Sequence, residues 1–95
     1  MALLEASLER KFRKEVKNRG GKAIKFSLLI NWPDRLILWP NGTVEWVELK
    51  APGKKARKGQ NGVHNWLRRM NFKVCVISNK EELEIWLKNL EKYQS

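Results

Sequence analysis

The chain has 95 residues, enough for one domain with one core and too few for a second. Lys and Arg number 20 against 10 Asp and Glu, a formal net charge of +10 at pH 7, which points to a polyanionic partner: nucleic acid first, an anionic membrane surface second. A hydrophobic share of 42% argues against disorder, and the apolar runs are too short to span a bilayer.

Residues 2 to about 18 carry Leu4, Leu8, Phe12 and Val16 at helical spacing, with Gly20-Gly21 as the stop. The charged start MALLEASLERKFRK does not read as a signal peptide. Glu5 and Glu9 lie four apart on one flank of the stripe. Either leans into a site beside the sheet, or both pair with a cation a turn on, as Glu9 with Arg13. Lys22 to Ile30 reads as a first strand. Asn31-Trp32-Pro33 then bends the chain, because the residue before a proline is pushed to an extended conformation, and that bend aims Asp34.

Leu36 to Trp39 and Thr43 to Leu49 read as two strands of a hairpin joined through Pro40-Asn41-Gly42. A two-residue Asn41-Gly42 turn would put Asp34 opposite Leu49. A three-residue loop, with Pro40 opening a type I turn and Gly42 in the left-handed bulge position, pairs Trp39 with Thr43 and sets Asp34 opposite Glu48. The order Pro-Asn-Gly favours the second. Opposed carboxylates repel, and a divalent cation between them turns that cost into binding: Mg²⁺ or Mn²⁺ prefers oxygen ligands and takes only one or two carboxylates. Lys50 shares the face of Glu48, where an ammonium can orient a metal-bound water. Glu-x-Lys alone recurs by chance and is more often a solvated strand face; the hairpin register is what adds weight to it.

APGKKARKGQ follows, residues 51 to 60, with Lys54, Lys55, Arg57 and Lys58 and no acid. By itself such a run is a solvated loop, but its origin at the strand of Glu48 and Lys50 suits a grip on phosphates, a surface joined by Arg35, Arg68, Arg69 and Lys73. It is not a nucleotide P-loop. A helix from about Gly59 to Met70 has core positions Val63, Trp66, Leu67 and Met70. Gln60, on the same face, either caps backbone groups or points into the site. His64 is expected as a surface or packing residue rather than a base. Phe72 to Ile77 reads as a strand buried on both faces, and Ser78-Asn79-Lys80-Glu81 as a capping box before a helix with the core stripe Leu83, Trp86, Leu87 and Leu90. The single Cys75 allows neither an internal disulfide nor a zinc cluster, reads as a core residue, and together with the missing signal peptide gives a cytoplasmic protein as the expectation. Of the five tryptophans, Trp39 at the hairpin tip is the one placed where it can be exposed and meet a base or a partner chain.

Taken together, Glu9, Gly20-Gly21, Lys25-Phe26, Pro33-Asp34-Arg35-Leu36, Asn41-Gly42, Glu48 through Lys55 and Gln60 resemble the virus-type replication-repair nuclease (VRR-NUC) family of the PD-(D/E)xK nuclease superfamily. The resemblance implies an α/β, restriction-endonuclease-like αβββαβ core with a mixed central sheet flanked by helices. It implies Mg²⁺ or Mn²⁺ held by Asp34, Glu48 and the backbone carbonyl of Leu49, with Glu9 joining through water, and Lys50 positioning the attacking water. It selects Glu9 over Glu5 and places Gln60 in the catalytic set. Small members of the family look like homodimers acting on branched DNA such as Holliday junctions or flaps, so a homodimer, in the host-cell cytoplasm if the chain is viral, is the expectation. One departure is Asn31, where the family commonly has Gly; Asn tolerates left-handed φ, so the bend is expected to survive. The competing readings are a non-catalytic basic nucleic-acid-binding module, for which charge and aromatics suffice, and peripheral membrane binding, weakened because the apolar stripes are needed for the core.

Overall fold

The computed structural model describes residues 2–51, 54 and 57–94, with side chains described for 6–51, 54 and 57–90. The elements run α1 (Ala2–Asn18), β1 (Lys22–Lys25), β2 (Arg35–Leu38), β3 (Val44–Leu49), α2 (Lys58–Arg69), β4 (Lys73–Ile77) and α3 (Lys80–Gln94). The four strands form one sheet in the order β1-β2-β3-β4. The first three are antiparallel neighbours and β4 runs parallel to β3, the direction that the intervening α2 allows. This is the mixed α/β sheet expected from the resemblance. Among the described residues no helix is long and apolar enough to cross a membrane.

The two faces of the sheet follow from strand alternation. One face presents Ile37, Val47, Leu49 and Ile77 to Leu8, Phe12 and Val16 of α1 and to Leu83, Trp86, Leu87 and Leu90 of α3, all buried. The rings of Phe12 and Trp86 stand 5.3 Å apart at its centre. Full burial of each such side chain stabilises by about 1.5–3 kcal/mol, so this layer holds the strands together. The core stripes expected of α1 and α3 are the buried ones, apart from Leu4, whose side chain lies outside the described residues. The opposite face is aromatic: Trp46 meets Phe26 at 5.2 Å and Trp32 at 5.4 Å, and Trp32 meets Trp66 of α2 at 6.1 Å.

Several expectations need correction. β1 ends at Lys25; the amide of Phe26 still donates to the carbonyl of Asp34, but Leu28, Leu29 and Ile30 leave the sheet and are exposed. Trp39 is buried, because its Nε1 donates to Glu45 Oε2 at 2.6 Å and its ring stacks 6.2 Å from Trp86. β4 is an edge strand on which only Ile77 is fully buried, so it is not covered on both faces. Asn79, rather than Ser78, caps α3 by accepting the amide of Glu82, and Glu82 reaches back to the amide and hydroxyl of Ser78.

The hairpin has the three-residue loop. Trp39 donates its amide to Thr43, Gly42 donates to the Trp39 carbonyl, and Gly42 has φ +87°. Asn41 Oδ1 accepts from both the amide and the hydroxyl of Thr43, which locks the turn. The ladder runs Leu38 with Val44 through Arg35 with Val47, so its next step sets Asp34 against Glu48. A side chain at Gly42 would meet no neighbouring atom, so the cost of adding one is backbone strain alone. Gly42→Ala is therefore expected to lose about 1–2 kcal/mol of stability in urea unfolding.

Candidate functional site

The site grows out of the end of that ladder. Past Arg35, strand pairing continues through side chains: the amide of Asp34 donates to Glu48 Oε1 at 3.0 Å, and the amide of Leu49 donates to Asp34 Oδ1 at 3.1 Å. Each carboxylate is thus pinned by the backbone of the opposite strand. Pro33 is buried ahead of Asp34, and Asn31 takes φ +72°, the left-handed conformation in which Asn replaces Gly. The bend is held from α2 as well. A Cβ on Gly59 would stand 2.6 Å from the Asn31 side chain, so this glycine lets α2 approach the bend.

Around the pair stand three donors. Lys50 Nζ lies 3.1 Å from Glu48 Oε2, its side chain only 16% exposed. Gln60 Nε2 donates to the same oxygen at 3.2 Å, while Gln60 Oε1 accepts the amide of Arg57 at the start of α2. Gln60 therefore both caps the helix and enters the site. Arg35 is the third donor: its guanidinium meets Asp34 Oδ2 at 3.2 Å and Glu9 Oε1 at 2.7 Å. Glu9 reaches the site through Arg35 and not as a partner of Arg13.

Arg35 thus departs from the expectation of a DNA-binding surface residue. It is 5% exposed, with its fork committed to two acids. The sequence signal is its position beside Asp34, which forces the next side chain to the other sheet face, toward α1. Lys54, Arg57 and Lys58, in and after the segment that leaves Lys50, are exposed. Lys55 lies outside the described residues. Arg68 is exposed but donates to the Val74 carbonyl at 3.1 Å and to Asn65, tying α2 to β4.

α2 is turned differently from the apolar reading. Gln60, His64 and Leu67 face inward, and Trp66 and Met70 are exposed at 46% and 54%. The spacing i, i+4, i+7 from Gln60 carries this, hidden by the polarity of two of the three residues. His64 is fully buried, and among the described residues its Nε2 has no hydrogen-bond partner. Burial holds its pKa below the usual value, against the pull of Glu48.

The electrostatics single out Asp34. Burial, and then the charge of Glu48, push its carboxyl above the usual aspartate range, and the Leu49 amide, Arg35 and Lys50 recover only part of this. Among the described residues no group of three or more His, Cys, Asp or Glu is placed to hold a metal ion; Asp34 and Glu48 are two carboxylates that meet at this point. Cys75 is half-buried against the core, and burial raises its thiol to about 11, so it is not a nucleophile at neutral pH.

An α/β sheet that carries a Pro-Asp bend, a Glu-x-Lys strand and a following glutamine around one point defines a PD-(D/E)xK-type domain. Similarity to known proteins agrees. No family model matches the chain. It is 37% identical over 79 residues to a protein named "Putative nuclease p44" from Acyrthosiphon pisum secondary endosymbiont phage 1, a match that covers 81% of this chain and 85% of that protein. A solved structure named "VRR_NUC domain" superimposes with a TM-score of 0.81 at 24% identity, covering 94% of this chain and 96% of that one. The chain belongs to the VRR-NUC family.

A raised carboxyl pKa means that ionised Asp34 costs stability. The cost is absent below the usual aspartate pKa and grows as pH rises through the Asp34 value. Asp34→Asn keeps an acceptor for the Leu49 amide and removes that cost. In chelator, its melting temperature is expected to match or exceed that of the parent at pH 7, with the difference shrinking as pH falls through that window.

Proposed function

We propose that this protein is a Mg²⁺- or Mn²⁺-dependent endonuclease that hydrolyses phosphodiester bonds in branched DNA. The observation that carries the reading is the trio Asp34, Glu48 and Lys50, drawn together at one end of the sheet beside the exposed cations Lys54, Arg57 and Lys58. The donor chemistry fits a hard divalent cation: two pinned carboxylates, with burial and then the charge of Glu48 keeping Asp34 hard to ionise. Asp34, Glu48 and the Leu49 carbonyl would hold the ion, with Glu9 reaching it through water. When bound, it supplies Lewis-acid polarisation of the phosphoryl oxygen and a more acidic water.

The chain's own groups do the rest. Lys50, beside Glu48 Oε2, hydrogen-bonds and orients the attacking water and offsets negative charge building on phosphorus. Gln60 fixes the rotamer of Glu48, and the Glu9–Arg35 pair fixes that of Asp34. Lys54, Lys55, Arg57, Lys58 and Arg68 take backbone phosphates on either side of the scissile bond. The substrate assignment to branched DNA goes with assembly as a homodimer, supported by the exposed apolar loop in which Leu28 and Ile30 are 86% and 85% exposed.

Two experiments test the proposal. On labelled flap, splayed and four-way-junction DNA with Mg²⁺ or Mn²⁺, Lys50→Ala, Asp34→Asn and Glu48→Gln are each expected to lose at least about 100-fold in rate, with circular dichroism unchanged. Chelator should stop the parent enzyme. Full cleavage by any of the three variants, or in excess chelator, would refute the mechanism; salt-sensitive binding without cleavage would instead favour a binding module. In light scattering the parent is expected at the mass of two chains and Leu28→Asp/Ile30→Asp at the mass of one.

A further inference from the structure

A groove lies away from this site, between α1 and β1. It encloses about 550 Å³ and is lined by five cations, Arg10, Arg13, Lys14, Lys17 and Lys22, and by no acid. None of the five side chains makes an ion pair with a described residue, whereas their neighbour Lys11 is paired with Glu84. Arg13 is left without an acid among the described residues because Glu9, one turn before it, is taken by Arg35. Arg10, Arg13, Lys14 and Lys17 follow the spacing i, i+3, i+4, i+7, so they form one stripe along the helix.

We infer that this groove is a second phosphate-binding track, which holds the backbone of a DNA arm outside the cleaved segment; the inference rests on the nuclease reading above. Its dimensions suit that ligand. From Arg10 to Lys17 the stripe rises about 10 Å, which matches roughly three phosphates of one strand at about 3.4 Å each. Lys22 pairs with Leu38 at the hairpin end of the sheet, while Asp34 lies beyond the other end of β2. The four residues of β2 separate them, about 13 Å, so one strand cannot be cut at Asp34 and lie in the groove at the same nucleotide. The groove therefore engages DNA several nucleotides from the cut or on another arm, the arrangement a branched substrate offers. An anionic membrane is disfavoured as the occupant, because the groove is a cleft with no exposed large apolar side chain in its lining.

The test is binding of a long-armed four-way junction in chelator, where cleavage cannot interfere, as a function of salt. Removing one phosphate-binding cation lowers the slope of log affinity against log salt by about 0.9. Arg13→Gln/Lys14→Gln is expected to reduce that slope by about 2, and Arg13→Lys to restore about one unit when combined with Lys14→Gln. Lys80→Gln/Lys88→Gln, an equal reduction of charge at exposed positions of α3, should change it by less than about 1. With metal, the groove variant should raise KM at least about fivefold on long arms and leave kcat unchanged. An unchanged slope, an equal change in the α3 control, or loss of vesicle binding to phosphatidylserine without loss of DNA binding would overturn the inference. A parent protein that binds with the expected slopes yet never cleaves would refute the nuclease reading and leave the groove standing.

Discussion

Two carboxylates, Asp34 and Glu48, face each other at the end of the β2–β3 ladder, and the surroundings make that opposition tolerable. Each accepts the backbone amide of the other's strand, so the ladder continues through side chains where it would otherwise fray. The remaining oxygens turn to Arg35 on one side and to Lys50 and Gln60 on the other. The register comes from a three-residue turn at the opposite end of the hairpin. A slip of one residue there would send Asp34 to the wrong face, which is why Gly42 in the left-handed region, and Asn41 clamping Thr43, bear on chemistry some distance away.

Arg35 connects the halves of the molecule. It sits on the α1 side of the sheet while Asp34 bends over its end, so one planar fork meets an acid from the first helix and an acid from the hairpin. A lysine has a single charged nitrogen and cannot make both contacts in that fixed geometry. Burial of this guanidinium is offset by Glu9 at 2.7 Å, with Asp34 a second and longer contact at 3.2 Å. The interaction also fixes α1 relative to the site, and with it the cationic stripe that runs from the turn after Glu9.

Features set by neighbours in sequence are legible in the residues, and features set by distant partners are not. Pro40-Asn41-Gly42 dictates its own loop, and Leu83, Trp86, Leu87 and Leu90 dictate the buried face of α3, because both are local geometry. Phe26 to Ile30 is apolar enough to read as strand throughout, yet the left-handed Asn31 and the approach of Gly59 pull it off the sheet after Phe26. Trp39 reads as exposed because its partner, Glu45, is visible only once the hairpin closes. The orientation of α2 is hidden for a physical reason: its inward face carries Gln60, which meets Glu48, and the polar His64, so hydrophobic periodicity points to Trp66 and Met70 instead.

The same logic organises the charge. A protein with a formal charge of +10 draws a polyanion to its surface from every side, but three of its ten acids, Glu9, Asp34 and Glu48, are gathered at the point where that polyanion would have to react. Two cations, Arg35 and Lys50, are not enough to let Asp34 ionise as easily as it does in water. An incoming phosphate would add negative charge to a site that already resists its own. Attraction at the surface and repulsion at the centre are reconciled if a small, hard cation enters between carboxylates and phosphate, which would relieve Asp34 and favour the substrate through the same interaction.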